Sequence, residues 1–432
     1  MALGASLGSV GYIAAKAGLT ALRVGQYFVT LAVLTSPWNA LVFQGLPIAD
    51  LLFAAGFIIL GVDVLLLRDF FGIPWWLVAA AVGLTFSYLV SVYFPLSDGF
   101  YAARFVELNP EQVFAGVRVE PNSDLSNFTK WLAGVVVVPV SVMWASRCRS
   151  SALRHILLAW LLGSELSCAA AVSDYLGFTH LSGSLIPLVD SAGRQAGLTV
   201  QPVHLGLAAA LTSPVAAWNF FEGRRVVGVV ALSVAAVGIF VSGSRGALFG
   251  IVLAVSLTYL VFGGLEIQKL VYRAGLILVT IVLGAVFFGE APSTAAIARG
   301  GRSQQLVAQS DASRSAVANQ ALQDFYYQPL QGVGFRVLTE AHSLYLQVLA
   351  SGGLLLACVL ALGLVGMMKS AWTEALRGNS IAAVSVVSIT CWLVLGIIQN
   401  QINDVYLYVP VGIVVAIEQG SRSTNSAKVK TA

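Results

Sequence analysis

The chain has 432 residues, 58% hydrophobic and 10% charged, with a formal net charge of +4 and a mean hydropathy of +0.84. A soluble globular domain carries about 25% charged residues, so the composition excludes one and points to a polytopic membrane protein. The small basic excess is dispersed between hydrophobic runs, which excludes a nucleic-acid-binding stripe, and no nucleic acid partner is expected.

The hydropathy pattern predicts an all-α integral membrane protein of about 12 transmembrane helices, each needing roughly 20 mostly apolar residues. The predicted spans are 24–43, 48–67, 75–94, 128–146, 153–173, 199–217, 226–242, 247–263, 273–289, 343–366, 381–398 and 404–419. Ser36 and Pro37 interrupt the first, and the last is short and contains Pro410. Lys16 and Arg23 precede a run long enough to stay as a helix, so residues 1–23 read as a cytoplasmic N-terminus rather than a cleavable signal. Residues 24–289 then hold the first nine spans, with outer loops at 95–127 and 174–198. Residues 290–341 form a large outer loop with amphipathic helices, 342–419 hold the last three spans, and 420–432 make a cytoplasmic tail. Cys148, Cys168, Cys358 and Cys391 all lie outside the long polar loops, so no disulfide framework is expected.

The positive-inside rule supports this orientation. With the N-terminus inside, most basic residues fall in short cytoplasmic connections or termini: Lys16, Arg23, Arg68, Arg147, Arg149, Arg154, Arg224, Arg225, Lys269, Arg273, Lys369, Arg377, Arg422, Lys428 and Lys430. The remainder are Arg104, Arg118, Lys130, Arg194, Arg245, Arg299, Arg302, Arg314 and Arg336, all but one of them arginine. Arginine's planar fork suits phosphate and carboxylate, so the bias suggests an anion site on the outer face. Long outer loops that escape the rule would explain the same residues without a site.

Several outer segments deliver these side chains. The 95–127 loop mixes charge with Phe100, Tyr101, Phe105 and Phe114 and is read as holding a short interfacial helix. Arg194 comes just before the sixth span, followed by Gly197, Pro202 and His204. Residues 241–246 read VSGSRG, a tight hairpin whose glycines let the backbone turn while Arg245 sits at the membrane surface. In the large loop, Ser310 or Asp311 is placed to cap a helix running to about Tyr326 and ended by Pro329 and Gly332. Arg314, Ala318, Ala321, Leu322 and Phe325 recur on it at helical spacing, which sets the arginine along the apolar stripe. Residues 332–353 read GVGFRVLTEAHSLYLQVLASGG and place His342 where this loop runs into the tenth span.

Together these pieces resemble the bacterial O-antigen ligases and the related O-antigen and exopolysaccharide polymerases, over roughly residues 194–353. The matching features are Arg194 with Gly197 and Gln201-Pro202-Val203-His204, then Ser244-Arg245-Gly246. Arg314 opening a helix follows, then Pro329-Leu330-Gln331-Gly332-Val333-Gly334, then His342-Ser343-Leu344-Tyr345-Leu346 before Gly352-Gly353-Leu354. Two features depart from the family pattern. Ser343 stands where an asparagine is usual beside the histidine, and an Asn-Pro-Asn element is reduced to Pro202. The resemblance implies a GT-C-like glycosyltransferase architecture in the bacterial inner membrane, with the site facing the periplasm. It implies metal-independent transfer of a glycan from an undecaprenyl diphosphate carrier to a sugar hydroxyl, with no cofactor. The expected partners are that lipid-linked donor, a glycan or lipid A-core acceptor, and the bilayer.

Elementary chemistry agrees with that expectation. Breaking the bond between an anomeric carbon and a diphosphate builds negative charge on the leaving group, which fixed cations stabilise. Arg194, Arg245 and Arg314 are the expected diphosphate contacts. The attacking hydroxyl needs a base, and an imidazole suits that task near neutral pH, which makes His342 the expected catalytic residue; a histidine there that only hydrogen-bonds a loop carbonyl is the plainer alternative. Glu340, Ser343 and Tyr345 are near enough in sequence to assist, as is Arg336 toward the diphosphate. A metal site needs several oxygen ligands, and none is expected, because residues 35–47 carry no acid and Asp50 follows alone. Asp63 and Glu165 lie inside spans, where an ionisable group is a functional candidate by default. A family polymerase extending a lipid-linked chain would use the same motifs. A transporter or flippase would be expected to show paired broken spans and midplane polar residues, which the sequence does not display.

Overall fold

The computed structural model describes residues 22–67, 72–97, 100, 117–118, 123–148, 151–181, 184, 194–262, 304–335, 338–339 and 341–431. The helices are α1 (Leu22–Thr35), α2 (Ile48–Leu67), α3 (Trp75–Tyr93), α4 (Ser123–Leu132), α5 (Val138–Ala145), α6 (Ala152–Tyr175), α7 (Pro202–Phe221), α8 (Arg225–Ser242), α9 (Arg245–Phe262), α10 (Gln304–Tyr327), α11 (Leu344–Leu376), α12 (Ser380–Leu395) and α13 (Val409–Thr431). A π-helical turn over Ala133–Val137 joins α4 to α5 into one rod. Two short antiparallel pairings, Val42–Phe43 with Leu46–Pro47 and Val117–Arg118 with Leu338–Thr339, tie loops together.

Among the described residues, 7 helices are long and apolar enough to cross a membrane. That is fewer than the dozen expected, for particular reasons. The segment predicted as 24–43 stops at Thr35, where Ser36 and Pro37 end the helix and the chain turns into the hairpin at 42–47. The eleventh segment forms a 16-residue helix, α12. The predicted tail at 420–432 instead continues α13 to Thr431, and that helix begins only after a tight turn at Val405–Tyr408. The predicted span 273–289 lies outside the described residues.

The sixth segment, α7, is 20 residues long but too polar to rank with the seven. It is buried from Leu205 to Asn219 and packs against α6, α8, α9 and α12, so it forms the centre of the bundle. Protein on all sides replaces lipid, and this is where a membrane protein tolerates Pro214 and polar side chains. The Ser213 and Thr212 hydroxyls donate to the carbonyls of Ala209 and Ala208 at 2.7 and 2.9 Å, consuming backbone acceptors just before the proline. Trp160, Trp218 and Leu205 belong to the same buried cluster.

The bundle has two polar ends. At one, Arg154 pairs with Glu222 at 3.0 Å, Ser380 donates to the same carboxylate at 3.1 Å, and Trp76 donates to Glu418 at 2.9 Å. Asp63 is buried toward this end, with Arg147 as its charged neighbour. At the other, the 36–47 loop, the 194–201 segment, the α8–α9 turn, His342 and the 396–404 loop meet. This is the His342 end. Glu165 sits within α6, and among the described residues neither carboxylate oxygen has a hydrogen-bond partner.

One break organises the His342 end. Helix α11 runs 33 residues but is non-helical at Gly353, with φ 61° and ψ −162°. The loop at 329–334 lies against that break. Val333 and Gly334 donate to the carbonyls of Ala350 and Ser351 at 2.8 and 3.0 Å, and Leu354 and Leu355 donate back to Pro329 and Leu330 at 2.8 and 3.1 Å. Buried backbone polar groups must be paired, and here a loop completes what the helix cannot. The approach leaves no room for side chains: a Cβ on Gly332 would lie 2.5 Å from the backbone of Ser351 and Gly352, and one on Gly353 would lie 2.5 Å from that of Leu330.

Gly332→Ala and Gly353→Ala are therefore expected to lower stability by more than the roughly 1–3 kcal/mol of a strained backbone conformation alone. Gly378→Ala, with φ 88° and open space around it, carries the strain without the clash and is the control. Thermal unfolding in detergent measures the difference; equal losses at all three sites would contradict the packing described.

Candidate functional site

Arg194 and Arg245 are brought to one turn. The Gln195 amide donates to the Val241 carbonyl at 3.1 Å, and Arg194 Nε donates to the Ser242 carbonyl at 2.6 Å. Gly243 closes α8 with a left-handed φ of 59°, and α9 starts at Arg245 two residues on. The bond from Nε fixes the plane of the Arg194 guanidinium. Two arginines separated by fifty positions in sequence thus flank a single helix-helix turn, both half-buried.

His342 and Arg314 form a second pairing. His342 has a left-handed φ of 45°, unusual for a residue with a side chain. Its neighbours are pinned: the Ala341 amide donates to Gln347 Oε1 at 3.4 Å, and the Leu344 amide donates to the Gly396 carbonyl at 2.7 Å. Helix α10 packs on the first turns of α11 through Ala321, Ala341 and Ala350. Arg314 on α10 is close enough to act on the imidazole. Burial first, and the Arg314 charge second, lower the His342 pKa from 6.5 to about 4. The ring is therefore neutral near pH 7.

The stripe that carries Arg314 differs from the expected one. Helix α10 begins at Gln304, so Ser310 and Asp311 lie inside it and do not cap it. Its buried positions are Val317, Ala321 and Asp324, in helical register with Arg314, whereas Ala318, Leu322 and Phe325 are only half-buried. Ser343 is buried as the residue before α11, with no side-chain capping bond. Tyr345 donates its hydroxyl to the Leu393 carbonyl at 2.7 Å and is substantially exposed, so it braces α12. Arg336 and Glu340 lie outside the described residues.

The 396–404 loop joins the two pairings, and sequence reasoning passed over it. Gln399 reaches the α8–α9 turn, where its side-chain nitrogen would sit 2.9 Å from a Cβ on Gly246. Asn400 donates to Gln347 Oε1 at 3.0 Å, the same oxygen that receives the Ala341 amide. Asp404, at the loop's end, meets His204 and Asn39. Asp404 Oδ2 lies 2.8 Å from His204 Nδ1, and Asn39 Nδ2 donates to Asp404 Oδ1 at 3.0 Å. Asn39 Oδ1 accepts from the Val200 amide at 2.8 Å, which orients the Asn39 side chain.

Asn39 Nδ2 also lies 2.8 Å from His204 Nδ1, so donor and acceptor compete for one ring nitrogen. A lone pair on Nδ1 would face the Asp404 carboxylate at 2.8 Å. The Asn39 amide nitrogen can only donate, so in the neutral ring Nδ1 accepts from it, the proton sits on Nε2, and Asp404 Oδ2 has no hydrogen-bond partner among the described residues. The signal for this cluster was present: residues 399–404 read QNQIND between two apolar runs, and few short turns need so many amides.

No protein-family model matches the chain, and no match was found among the curated proteins compared with it.

The His342 electrostatics give a direct test. Arg314→Gln removes a cation that disfavours imidazolium, so the His342 pKa is expected to rise from about 4 while staying below 6.5, because burial is the larger cause. Histidine NMR in detergent micelles reads this, and an unmoved pKa would contradict the pairing. The folded-state pKa lies below the unfolded one, so the unfolded chain takes up its proton first on acidification. The contribution of His342 to stability is full above pH 6.5 and is lost as pH falls toward about 4.

Proposed function

We propose that this chain is a membrane glycosyltransferase of the O-antigen ligase type. It transfers a glycan from an undecaprenyl diphosphate carrier to a sugar hydroxyl of a lipid A-core acceptor, at the outer face of the bacterial inner membrane. The observation that carries this reading is the meeting of Arg194 with Arg245, and of Arg314 with His342, at one end of an apolar bundle, with the polar 396–404 loop touching both. A diphosphate headgroup presents several anionic oxygens at the membrane surface while its lipid tail stays in the bilayer. Arginines held by backbone carbonyls and helix ends meet such a group without reorganising.

In the reaction the acceptor hydroxyl attacks the anomeric carbon. The carbon–oxygen bond to phosphate breaks, and the diphosphate leaves with the electron pair. The arginines stabilise that leaving charge, and an imidazole takes the hydroxyl proton; His342 is the residue that the sequence resemblance puts forward. The lipid-exposed faces of α2, α3 and α8 suit a chain embedded in a bilayer, since Ile58, Val82 and Phe240 are among their large exposed side chains.

Purified protein given a polyprenyl diphosphate glycan and a core-oligosaccharide acceptor is expected to form a glycosidic product with chelator present. Arg245→Ala or Arg194→Ala is expected to cut turnover by roughly 10²–10³, as loss of one oxyanion donor does. Mass spectrometry of the products reads this. Complete loss of activity with chelator would refute the metal-independent step. Glycan recovered unchanged on the far side of sealed vesicles would show a transporter instead, and product formed only with a lipid-linked glycan acceptor would show a polymerase.

A further inference from the structure

The polar end opposite His342 holds a cleft outside the transfer chemistry proposed above. It has a volume of about 350 Å³ and lies where the start of α3 meets the last turns of α11 and the middle of α13. Trp75 and Trp76 wall one side, and Trp76 packs so closely on α11 that a Cβ on Gly366 would lie 2.9 Å from its own. Lys369 on α11 and Arg422 on α13 stand among the residues facing them. Helix α3 begins at Trp75, so the positive end of its dipole lies at this level.

The charges of the cleft are unevenly placed. Glu374 pairs with Arg377, and Glu418 pairs with Arg422 while accepting from Trp76. In each pair the acid is sheltered and the cation faces outward: the Glu374 and Glu418 side chains are 13% and 12% exposed, those of Arg377 and Arg422 59% and 52%. The rim is therefore cationic. Lys369 adds a third positive charge, and among the described residues its ammonium has neither an ion pair nor a hydrogen bond. Its position names the occupant. Leu362, Val365, Lys369, Trp372 and Leu376 recur at three- and four-residue spacing on α11, so they form one stripe, and its four apolar members are all exposed. In a bilayer this stripe faces lipid, where an ionisable group is costly unless paired, and the anions within its reach are lipid phosphates. Exposed Trp75 and Trp372 beside it mark the headgroup level, where tryptophan collects. Basic clefts between membrane helices take anionic headgroups.

We infer that this cleft binds the phosphate headgroup of an anionic glycerophospholipid in the leaflet opposite the His342 end. The phosphate meets Lys369, with Arg377 and Arg422 at the rim, and the acyl chains run along Leu362 and Val365. The cleft is at the small end of the range for ligand pockets, roughly 300–1,000 Å³, so it takes a headgroup and leaves the chains outside. A lipid held there joins α3 to α11, the helix whose other end carries the break at Gly353. This binding needs only a bilayer around the chain, not glycan transfer.

Native mass spectrometry and thermal unfolding of the delipidated full chain in neutral detergent test this, with phosphatidylglycerol as the probe. Saturable binding with a rise in unfolding temperature is expected, weakened by added salt because the rim is exposed. Lys369→Gln is expected to weaken binding about fivefold, the contribution of one basic residue near an anionic surface, and it breaks no pair within the protein. Arg377→Gln is the second variant, with a loss of similar size. Arg225→Gln removes an exposed charge at the same end but outside the cleft, and is expected to bind as the unaltered chain does. Phosphatidylcholine with the same chains, and soluble glycerol phosphate, are each expected to bind at least about fivefold more weakly than phosphatidylglycerol. Equal binding of phosphatidylcholine would show an apolar groove without charge selection, and equal binding of glycerol phosphate would show a soluble-anion site. Undiminished binding to both Lys369→Gln and Arg377→Gln would place the lipid elsewhere. Any of these three results overturns the assignment.

Discussion

The His342 end depends on a helix that cannot finish its own hydrogen bonds. Where α11 breaks at Gly353, its backbone groups face a low-dielectric interior, and the loop at 329–334 pairs with them. In lipid-embedded structure non-helical backbone is tolerated only where protein satisfies it. The break and the loop are thus a single unit. It detaches a short first segment of α11, from Leu344 to Gly352, and seats it against α10 and the 396–404 loop rather than continuing the long helix axis. His342 owes its position to that seat, through the bonds of Ala341 to Gln347 and of Leu344 to Gly396. The glycines are required on both sides because the contact is backbone to backbone.

Around this unit, polar groups are distributed by charge. Arginines from three distant segments lie at the same end, each placed by a different local device: Arg194 by a carbonyl bond, Arg245 by a helix start, Arg314 by the buried face of α10. The amide-rich 396–404 loop separates the Arg194–Arg245 turn from His342 and Arg314, while touching both. Amides suit that position because they bridge donors and acceptors without adding charge between cations. The carboxylate of Asp404 is engaged by His204 at 2.8 Å and by Asn39 at 3.0 Å. In a site proposed for an anionic donor, this limits how much of the positive field is cancelled by the protein itself.

Long apolar helices were legible in the sequence. The predicted 48–67, 75–94, 153–173, 226–242 and 247–263 correspond to α2, α3, α6, α8 and α9 within a few residues, because hydropathy alone decides such segments. What hydropathy misjudges is a helix whose surroundings are protein. Helix α7 is less apolar than the spans around it yet is the most enclosed, and α1 and α13 are shaped by Pro37 and by the tight turn at Val405–Tyr408 rather than by their apolar content. The break at Gly353 was hidden in a glycine pair that a continuous helix also tolerates. For the site, single residues could be named from the chain, but their partners could not. Arg194 with Ser242 and Asn39 with His204 and Asp404 are separated by 48 to 365 positions. The run QNQIND is too polar for a simple turn, yet sequence reading passed over it because nothing local in it names a partner.

The central claim is that a lipid diphosphate occupies the His342 end, and the His342 imidazole is the reporter nearest to it. Its pKa is held at about 4 by burial and by Arg314. A bound diphosphate adds negative charge beside that guanidinium and favours imidazolium, so titration of the His342 resonance with a short-chain polyprenyl diphosphate is predicted to move the pKa upward in a saturable way. The same pKa with and without the diphosphate, at concentrations where the protein binds it, would contradict the account.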